Sequence, residues 1–428
     1  MRASLLLRFV RTAVRPLASY DPSNSALVFR SKTTGQLIFE TILYKLCSFK
    51  AVVLVASSTL QSDIPIVSPL ARLLCRHSVF PFFVSGESMR DCLMVSRGLY
   101  DQAGVTCILD HNVEEKDTEE AWDLNLKNKL SLIEELRRHD GHIVKFVPLK
   151  STALLSPSML ENMTSFIEKQ SSGSINDADL IAALSNRDRE LLETGIKRLE
   201  ALCAAAERSD IAILLDAEQT SRQPAIEVVA RRLSSSFNTQ GRVRLYNTYQ
   251  CYLKRTAAAI DRDMKEAQAN GYTFAVKLVR GAYMRTERAR ATTLGYADPV
   301  HLTKAATDAT YDAAVTSLLE HVPQRGASLL VATHSRKSVD HAVSEMRRLG
   351  IEPSCPLVSF GSIMGMSDHI SNALGLAGYN SAKLVSFGTF EDVLPWLCRR
   401  LDENGDLFGA MQGERQLYAK ELKRRILH

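Results

Sequence analysis

Eight short apolar runs recur along this chain, each too short for a core helix and each separated from the next by a helix-length stretch. They lie near 106–110, 143–149, 211–216, 244–249, 273–279, 328–333, 358–363 and 382–387. A run of five to seven apolar residues with no polar face suits a strand buried on both sides, and strands that alternate with helices predict parallel βαβ construction. Most of the runs end abruptly in polar residues: VTCILD at Asp110, FVPLK at Lys150, IAILLDAE at Asp216 and Glu218, RLYNTYQ at Gln250 and LLVATH at His334. The stretch FAVKLVRGAYMRTERARA, 274–291, places Lys277, Arg280, Gly281 and Tyr283 at such an end. In a (βα)8 barrel the C-terminal strand ends carry the chemistry, and eight candidate strands are consistent with one closed barrel.

The helical pattern between the runs can be checked in one unit. Ser185 opens an S-x-x-D box, and Leu192, Ile196, Leu199, Cys203 and Ala206 then recur at steps of three and four, which predicts an amphipathic helix leading into IAILLD. The interval from Ser151 to Asn186, with STALLSPSML and SSGSINDADL, exceeds an ordinary connection and predicts a helical insertion or lid near 151–186. Residues from about 30 to 100 are apolar without strand alternation and read as an N-terminal helical region.

A length of 428 residues accommodates one barrel of about 250 residues with additions. The formal charge is +5, but Arg2, Arg8, Arg11 and Arg15 sit in an acid-free leader, and without them the charge is +1. A nearly neutral body gives no reason to expect nucleic acid as a partner. The leader MRASLLLRFVRTAVRPLASY alternates Arg with apolar residues, as a mitochondrial presequence does, although a basic tail has a similar composition. Eight scattered cysteines without a CxxC pair fit free thiols, and histidines without HExxH or close ligand spacing predict no metal site. Lys45 and Lys50 interrupt the most hydrophobic stretch, so no run is long enough to span a bilayer. The absence of GxGxxG argues against a Rossmann dinucleotide domain.

LLDAEQT, YNTYQCYLK, KLVRGAYMRTER, VATHSRKS, IMGMSDHIS and VLPWLCRRLDEN, in that order, resemble the proline dehydrogenase family, specifically its mitochondrial members. The likeness covers roughly residue 29 to the C-terminus, since FRSKTTGQLIFETILYKLCSF also resembles the family's N-terminal region. It implies a distorted (βα)8 TIM-like barrel over 101–428, preceded by a helical region at 29–100 and a presequence at 1–28. It also implies FAD lying across the strand ends, contacted by Asp216, Gln250, Lys277, Val279, Arg280, Gly281, Ala282, Tyr283, Thr333 and His334. Bacterial members carry Arg where Lys277 stands, and Lys keeps the charge without the planar fork. Without the surrounding motif, a Lys and an Arg at a strand end would more readily be read as caps of neighbouring helices.

Arg399 and Arg400 lie on a helix whose apolar stripe is Val393, Leu394, Leu397 and Leu401, and Arg400 borders that stripe. Alone, such a pair reads as a solvated helix face. By resemblance both hold the substrate carboxylate, since two guanidinium forks grip a carboxylate in one orientation. Lys150 is implied as a further carboxylate contact, and Asp216 or Glu403 as the acid that balances the cations. For these residues an ordinary structural ion pair is the competing account. The four implied catalytic residues are therefore Lys150, Asp216, Arg399 and Arg400, with Leu384 and Glu403 completing the substrate pocket.

The sequence departs from the family pattern at Leu384, where a Tyr stands above the substrate ring, at Ser335 for Asn and at Ser362 for Gln. Leu384 neither reproduces the proline pocket nor offers a partner to a ring hydroxyl. The expected activity is FAD-dependent oxidation of L-proline to Δ1-pyrroline-5-carboxylate, with hydride passing from C5 to flavin N5. A quinone is the expected acceptor, on the matrix side of the mitochondrial inner membrane with peripheral attachment. A hydroxyproline dehydrogenase of the same family and a non-catalytic barrel scaffold are the alternatives.

Overall fold

The computed structural model describes residues 19–427 except 48, 62–66, 112–116, 140–141, 170–176, 240 and 403–406. Side chains are also not described at 47, 50, 51, 53, 54, 61, 67, 177, 178, 399–402 and 407–412. Six helices come first: α1 (Ser25–Val28), α2 (Thr34–Cys47), α3 (Lys50–Gln61), α4 (Val67–His77), α5 (Phe80–Phe83) and α6 (Met89–Ala103). The alternating part begins with β1 (Thr106–His111), α7 (Glu119–His139), β2 (Val144–Lys150), α8 (Pro157–Lys169), α9 (Asp177–Ala183), α10 (Asn186–Arg208) and β3 (Ala212–Asp216). It continues through α11 (Gln223–Phe237), β4 (Leu245–Gln250), α12 (Thr256–Asn270), β5 (Phe274–Val279), α13 (Met284–Leu294), α14 (Lys304–Glu320) and β6 (Ala327–Ala332). The chain closes with α15 (Arg336–Arg348), β7 (Val358–Ile363), α16 (Asp368–Leu376), β8 (Ser381–Phe387), α17 (Phe390–Asp402) and α18 (Leu407–Leu427).

The strands form one closed barrel in sequence order, every neighbour parallel, with β1 pairing both β2 and β8. All eight expected strands are present, and a register shift at Cys107/Ile108 is the irregularity between β1 and β2. Alternation along each strand sends one set of side chains inward. Ile108, Phe146, Ala212, Leu214, Tyr246, Ala275, Leu330 and Ala382 fill the interior, with Leu384 packed against them. The other set meets the helices. Leu192, Ile196, Leu199, Cys203 and Ala206 of α10 are buried as their spacing requires, and Ser185 caps that helix by accepting from the Asp188 amide.

The described part of the insertion after β2 is helical, and α8 lies in the barrel wall. Met159, Leu160 and Met163 of α8 are buried in the outer core, and α8 packs on α10 and α11 in the barrel wall. The amphipathic pattern of α8 identifies a buried face without saying what buries it.

The N-terminal helices belong to the same body. α2 packs on α18, and α3 on α17. A buried ionic cluster joins them to the barrel: Lys32 Nζ bonds Glu40 at 2.6 Å and Asp368 at 3.0 Å, and Lys383 of β8 meets the other Asp368 oxygen at 2.9 Å. Arg425 of α18 donates to the carbonyls of Phe29 and Lys32. Packing also reaches back before residue 28: the Tyr20 hydroxyl donates to Asp340 at 2.8 Å, and Val28 is buried. The expected boundary at residue 28 therefore falls within a packed segment rather than at its edge. Among the described residues no helix is long and apolar enough to cross a membrane.

Candidate active site

A cavity of ≈ 1570 Å3 opens at the C-terminal ends of the strands. That exceeds the roughly 300–1,000 Å3 of a pocket for one small ligand, and it leaves room for a dinucleotide together with a small substrate. Lys150, Asp216, Gln250, Lys277, Val279, Arg280, Gly281, Ala282, Tyr283, Thr333, His334 and Leu384 all line it. Strand periodicity explains the convergence. Asp216 stands two residues beyond the inward Leu214, and Lys277 two beyond the inward Ala275, so each projects into the mouth above the apolar plug. Lys150 is the direct cross-strand neighbour of Asp216.

Lys277 Nζ donates to Asp216 Oδ1 at 2.6 Å, which fixes a cation within the cavity wall. Gln250, also buried, joins two loops: its amide nitrogen donates to the Glu218 carbonyl at 2.9 Å, and its oxygen accepts from the Ala282 amide at 3.2 Å. Arg280 is engaged at all three nitrogens, with Asp308 at 2.6 Å, Thr333 at 2.8 Å and Ser338 at 2.9 Å, and its guanidinium lies over the Tyr311 ring. It braces β5 against β6 and α15 from the cavity wall. Gly281 has φ +133°, and a Cβ there would lie 1.7 Å from the Tyr252 ring, so the position excludes any side chain.

Several residues that sequence reasoning gave no role also belong here. Asp110 and Lys129 line the cavity floor. Burial pushes the Asp110 carboxyl up from its ordinary range, only partly opposed by Lys129, and the same desolvation pushes the Lys129 ammonium down. On the outer side Lys304, Arg336, Lys337 and Lys420 line the wall, and the N-terminal turn of α15, capped by Ser335, opens there. Cations beside helix amides are the donor set that a diphosphate needs. Lys129 and Lys337 lie on helices, where no strand-end signal marked them.

The loop after β3 is anchored by Glu287 of α13, which accepts from the Thr220 amide at 2.7 Å and from its hydroxyl. The motifs DAEQT and RTER are thus two halves of one brace. Glu218 accepts from the Thr152 amide at 3.0 Å and ties in the turn after β2. Leu384 sits between Ile108 of β1 and Ile363 of β7, an apolar surface facing the mouth. Ser335 serves as a helix cap, and Ser362 bonds Ser371 at 2.9 Å. Tyr249, packed in the outer core, donates to Asp263 away from the cavity. Arg399 and Arg400 lie on α17, whose Asp392, Pro395 and Trp396 line the cavity, but their side chains and Glu403 are outside the described residues. Among the described residues no group of His, Cys, Asp and Glu is placed to hold a metal, and seven cysteines are free.

Comparison with known proteins places this geometry. The family model described as Proline dehydrogenase matches residues 96–412. A hydroxyproline dehydrogenase of Xenopus laevis is 32% identical over 427 residues, covering 94% of this chain and 89% of that protein. Human mitochondrial proline dehydrogenase 1 is 38% identical over 248 residues, covering 58% of this chain and 41% of that protein. A crystal structure of proline utilization A from Bdellovibrio bacteriovorus, inactivated by N-propargylglycine, superposes with a TM-score of 0.67 at 20% identity. That match covers 89% of this chain but only 38% of the larger one, and at this identity it speaks for the fold.

Proposed function

The chain belongs to the proline dehydrogenase family, and on that premise we propose that it is a flavoenzyme that oxidises L-proline at C5 to Δ1-pyrroline-5-carboxylate. The observation that carries this reading is the convergence of Lys150, the Asp216–Lys277 pair and the Gly281 approach in one cavity at the strand ends. FAD, when bound, supplies acceptance of the hydride from proline C5 and passage of the electrons to a quinone. The chain's residues fit it. Gly281, seated against the Tyr252 ring, and Ala282 turn backbone toward the cavity, Lys277 presents a fixed cation to negative charge that develops in the reaction, and Lys337 with the α15 amides suits the diphosphate. Lys150, Arg399 and Arg400 fix the substrate carboxylate, so that C5 is presented in one orientation and positioning supplies much of the rate.

A second reading, oxidation of trans-4-hydroxy-L-proline, rests on a specific observation. Hydroxyproline dehydrogenases align along 93–94% of this chain, whereas the proline dehydrogenase 1 proteins of fly, worm and human align over 58%. Leu384, in place of Tyr, is the pocket residue at issue. Anaerobic mixing with each imino acid separates the readings: faster bleaching of the oxidised flavin by proline supports the first, and bleaching by hydroxyproline alone replaces it. Leu384→Tyr should raise the proline-to-hydroxyproline ratio of kcat/KM by about tenfold.

The relatives named mitochondrial and the acid-free leader support a mitochondrial location. Peripheral membrane attachment is supported by α2 and α4, which expose Ile38, Phe39, Ile42 and Leu46, and Leu70, Leu73 and Leu74. Between residues 41 and 86 there is one acid, Asp63, against Lys45, Lys50, Arg72 and Arg76, which suits an anionic lipid surface.

A further inference from the structure

We propose that Asp110 is the group that accepts the proton from the substrate's ring nitrogen, a step that rests on the imino-acid oxidation inferred above. In solution a cyclic imino acid carries a secondary ammonium, and an ammonium nitrogen has no lone pair with which to expel hydride from the adjacent carbon. One N–H bond must break first, and a base within the site must take that proton.

Among the described residues one carboxylate is left for the task. Of the carboxylates that line the cavity, Asp216 is held by Lys277 at 2.6 Å, Asp308 by Arg280 at 2.6 Å and Lys304 at 2.7 Å, and Asp392 by the Thr389 hydroxyl at 2.7 Å. Asp110 accepts no hydrogen bond from any described residue.

Its place in the ring agrees. In the closed barrel β1 lies between β8 and β2. Ile108 is the cross-strand neighbour of Leu384. Asp110, two residues further along, points into the same mouth above Ile108. Lys150 stands on the opposite flank at the end of β2. A substrate whose carboxylate sits at Lys150 and whose ring faces Leu384 therefore spans β1, with its nitrogen over Asp110.

The groups facing Asp110 are Lys129 from α7, Lys150 from β2, Asp216 from β3, Lys277 from β5 and Cys92 from α6, while β8 offers the uncharged Leu384 and Ser386. Desolvation, joined by Asp216, raises the proton affinity of Asp110, and Lys129, Lys277 and Lys150 oppose that rise.

The step balances. The N–H bond breaks and an O–H bond forms on Asp110. The freed lone pair makes the C5=N bond as the C5–H bond breaks, and that hydrogen leaves with its electron pair to the flavin. The imino acid is thereby oxidised by two electrons, and Asp110 returns its proton to solvent when product leaves.

The test uses the flavin-loaded full chain with Asp110→Asn and Asp110→Glu, and it follows anaerobic flavin reduction by L-proline from weakly acidic to strongly alkaline pH. In the parent the rate should reach a plateau well below the free amine's own pKa. In Asp110→Asn the rate at neutral pH should fall by about a hundredfold or more, then climb about tenfold per pH unit toward that pKa, because only solution-deprotonated substrate reacts. Asp110→Glu should restore the plateau. The dissociation constant of tetrahydrofuran-2-carboxylate, which has a ring oxygen and no proton to give, should stay within about twofold of the parent in both variants.

A pH profile in Asp110→Asn that overlays the parent overturns the proposal. So does weakened analogue binding that matches the rate loss at every pH, which would make Asp110 a packing residue. A loss confined to trans-4-hydroxy-L-proline overturns it as well, because Asp110 would then read the ring hydroxyl. A parent enzyme bleached by neither imino acid would instead remove the functional reading itself.

Discussion

At the scale of single residues, the site depends on what is absent as much as on what is present. Gly281 has a backbone conformation that L side chains rarely adopt, and the Tyr252 ring occupies the space a Cβ would need. Gly281→Ala must move either the ring or the loop, and the loop carries Ala282 and its bond to Gln250. Affinity for FAD should fall by about five- to a hundredfold, equivalent to the roughly 1–3 kcal/mol of a strained backbone position. Quenching of flavin fluorescence on titration with the apoprotein measures it, and an unchanged dissociation constant would place the cofactor elsewhere. Arg280 is the counterpart: it lines the cavity while its nitrogens are held in place by Asp308, Thr333 and Ser338.

At the scale of elements, the strands were legible because a barrel strand is short, apolar and bounded by polar residues, three signals that coincide at 212–216 and 274–279. Strand-end motifs likewise marked Lys150, Asp216 and Lys277, since strand periodicity alone aims them. Contacts between distant elements were not legible. Nothing local says that α8 beds against α10 and α11, that Lys129 reaches the Pro148 carbonyl from a helix, or that Lys383 of β8 meets Asp368. Lys383 also donates to the carbonyls of Ile363 and Met366, so one buried ammonium fixes β8, the β7–α16 turn and α16.

Replacing Lys383 with Met should cost about 3–5 kcal/mol, because partner oxygens stay buried without it. Burial pushes the Asp368 carboxyl up, but Lys383 and Lys32 outweigh burial and hold it below the usual range. A depressed folded-state value stabilises the fold above the unfolded-state pKa, and that contribution disappears as pH falls toward the folded-state value. The gap in urea midpoint between parent and Lys383→Met should therefore narrow as pH drops below about 4. A gap independent of pH would mean that Lys383 contributes through packing alone.

At the scale of the whole molecule, the helices before the barrel carry the exposed apolar face, and α3 packs on α17, the helix whose Trp396 and Pro395 line the cavity. A lipid surface against α2 and α4 would thus lie one helix layer from the site, on the side from which the proposed lipid-soluble acceptor would have to come. Leu73 and Leu74 are 54% and 62% exposed, so replacing both with Asp should leave the core intact. Each buried Leu contributes about 1.5–3 kcal/mol, so co-sedimentation with anionic phospholipid vesicles should weaken by tenfold or more. Turnover with a water-soluble acceptor should not change, and retained vesicle binding would assign that face to a protein partner.

The bonds from Arg425 to the carbonyls of Phe29 and Lys32 join positions separated by 396 and 393 residues. These bonds lie just before α2, which packs on α18 itself, and the whole barrel stands between the two helices in the chain. A chain cut short before α18 should therefore leave its apolar N-terminal helices uncovered, so the clasp ties their burial to the presence of the last helix.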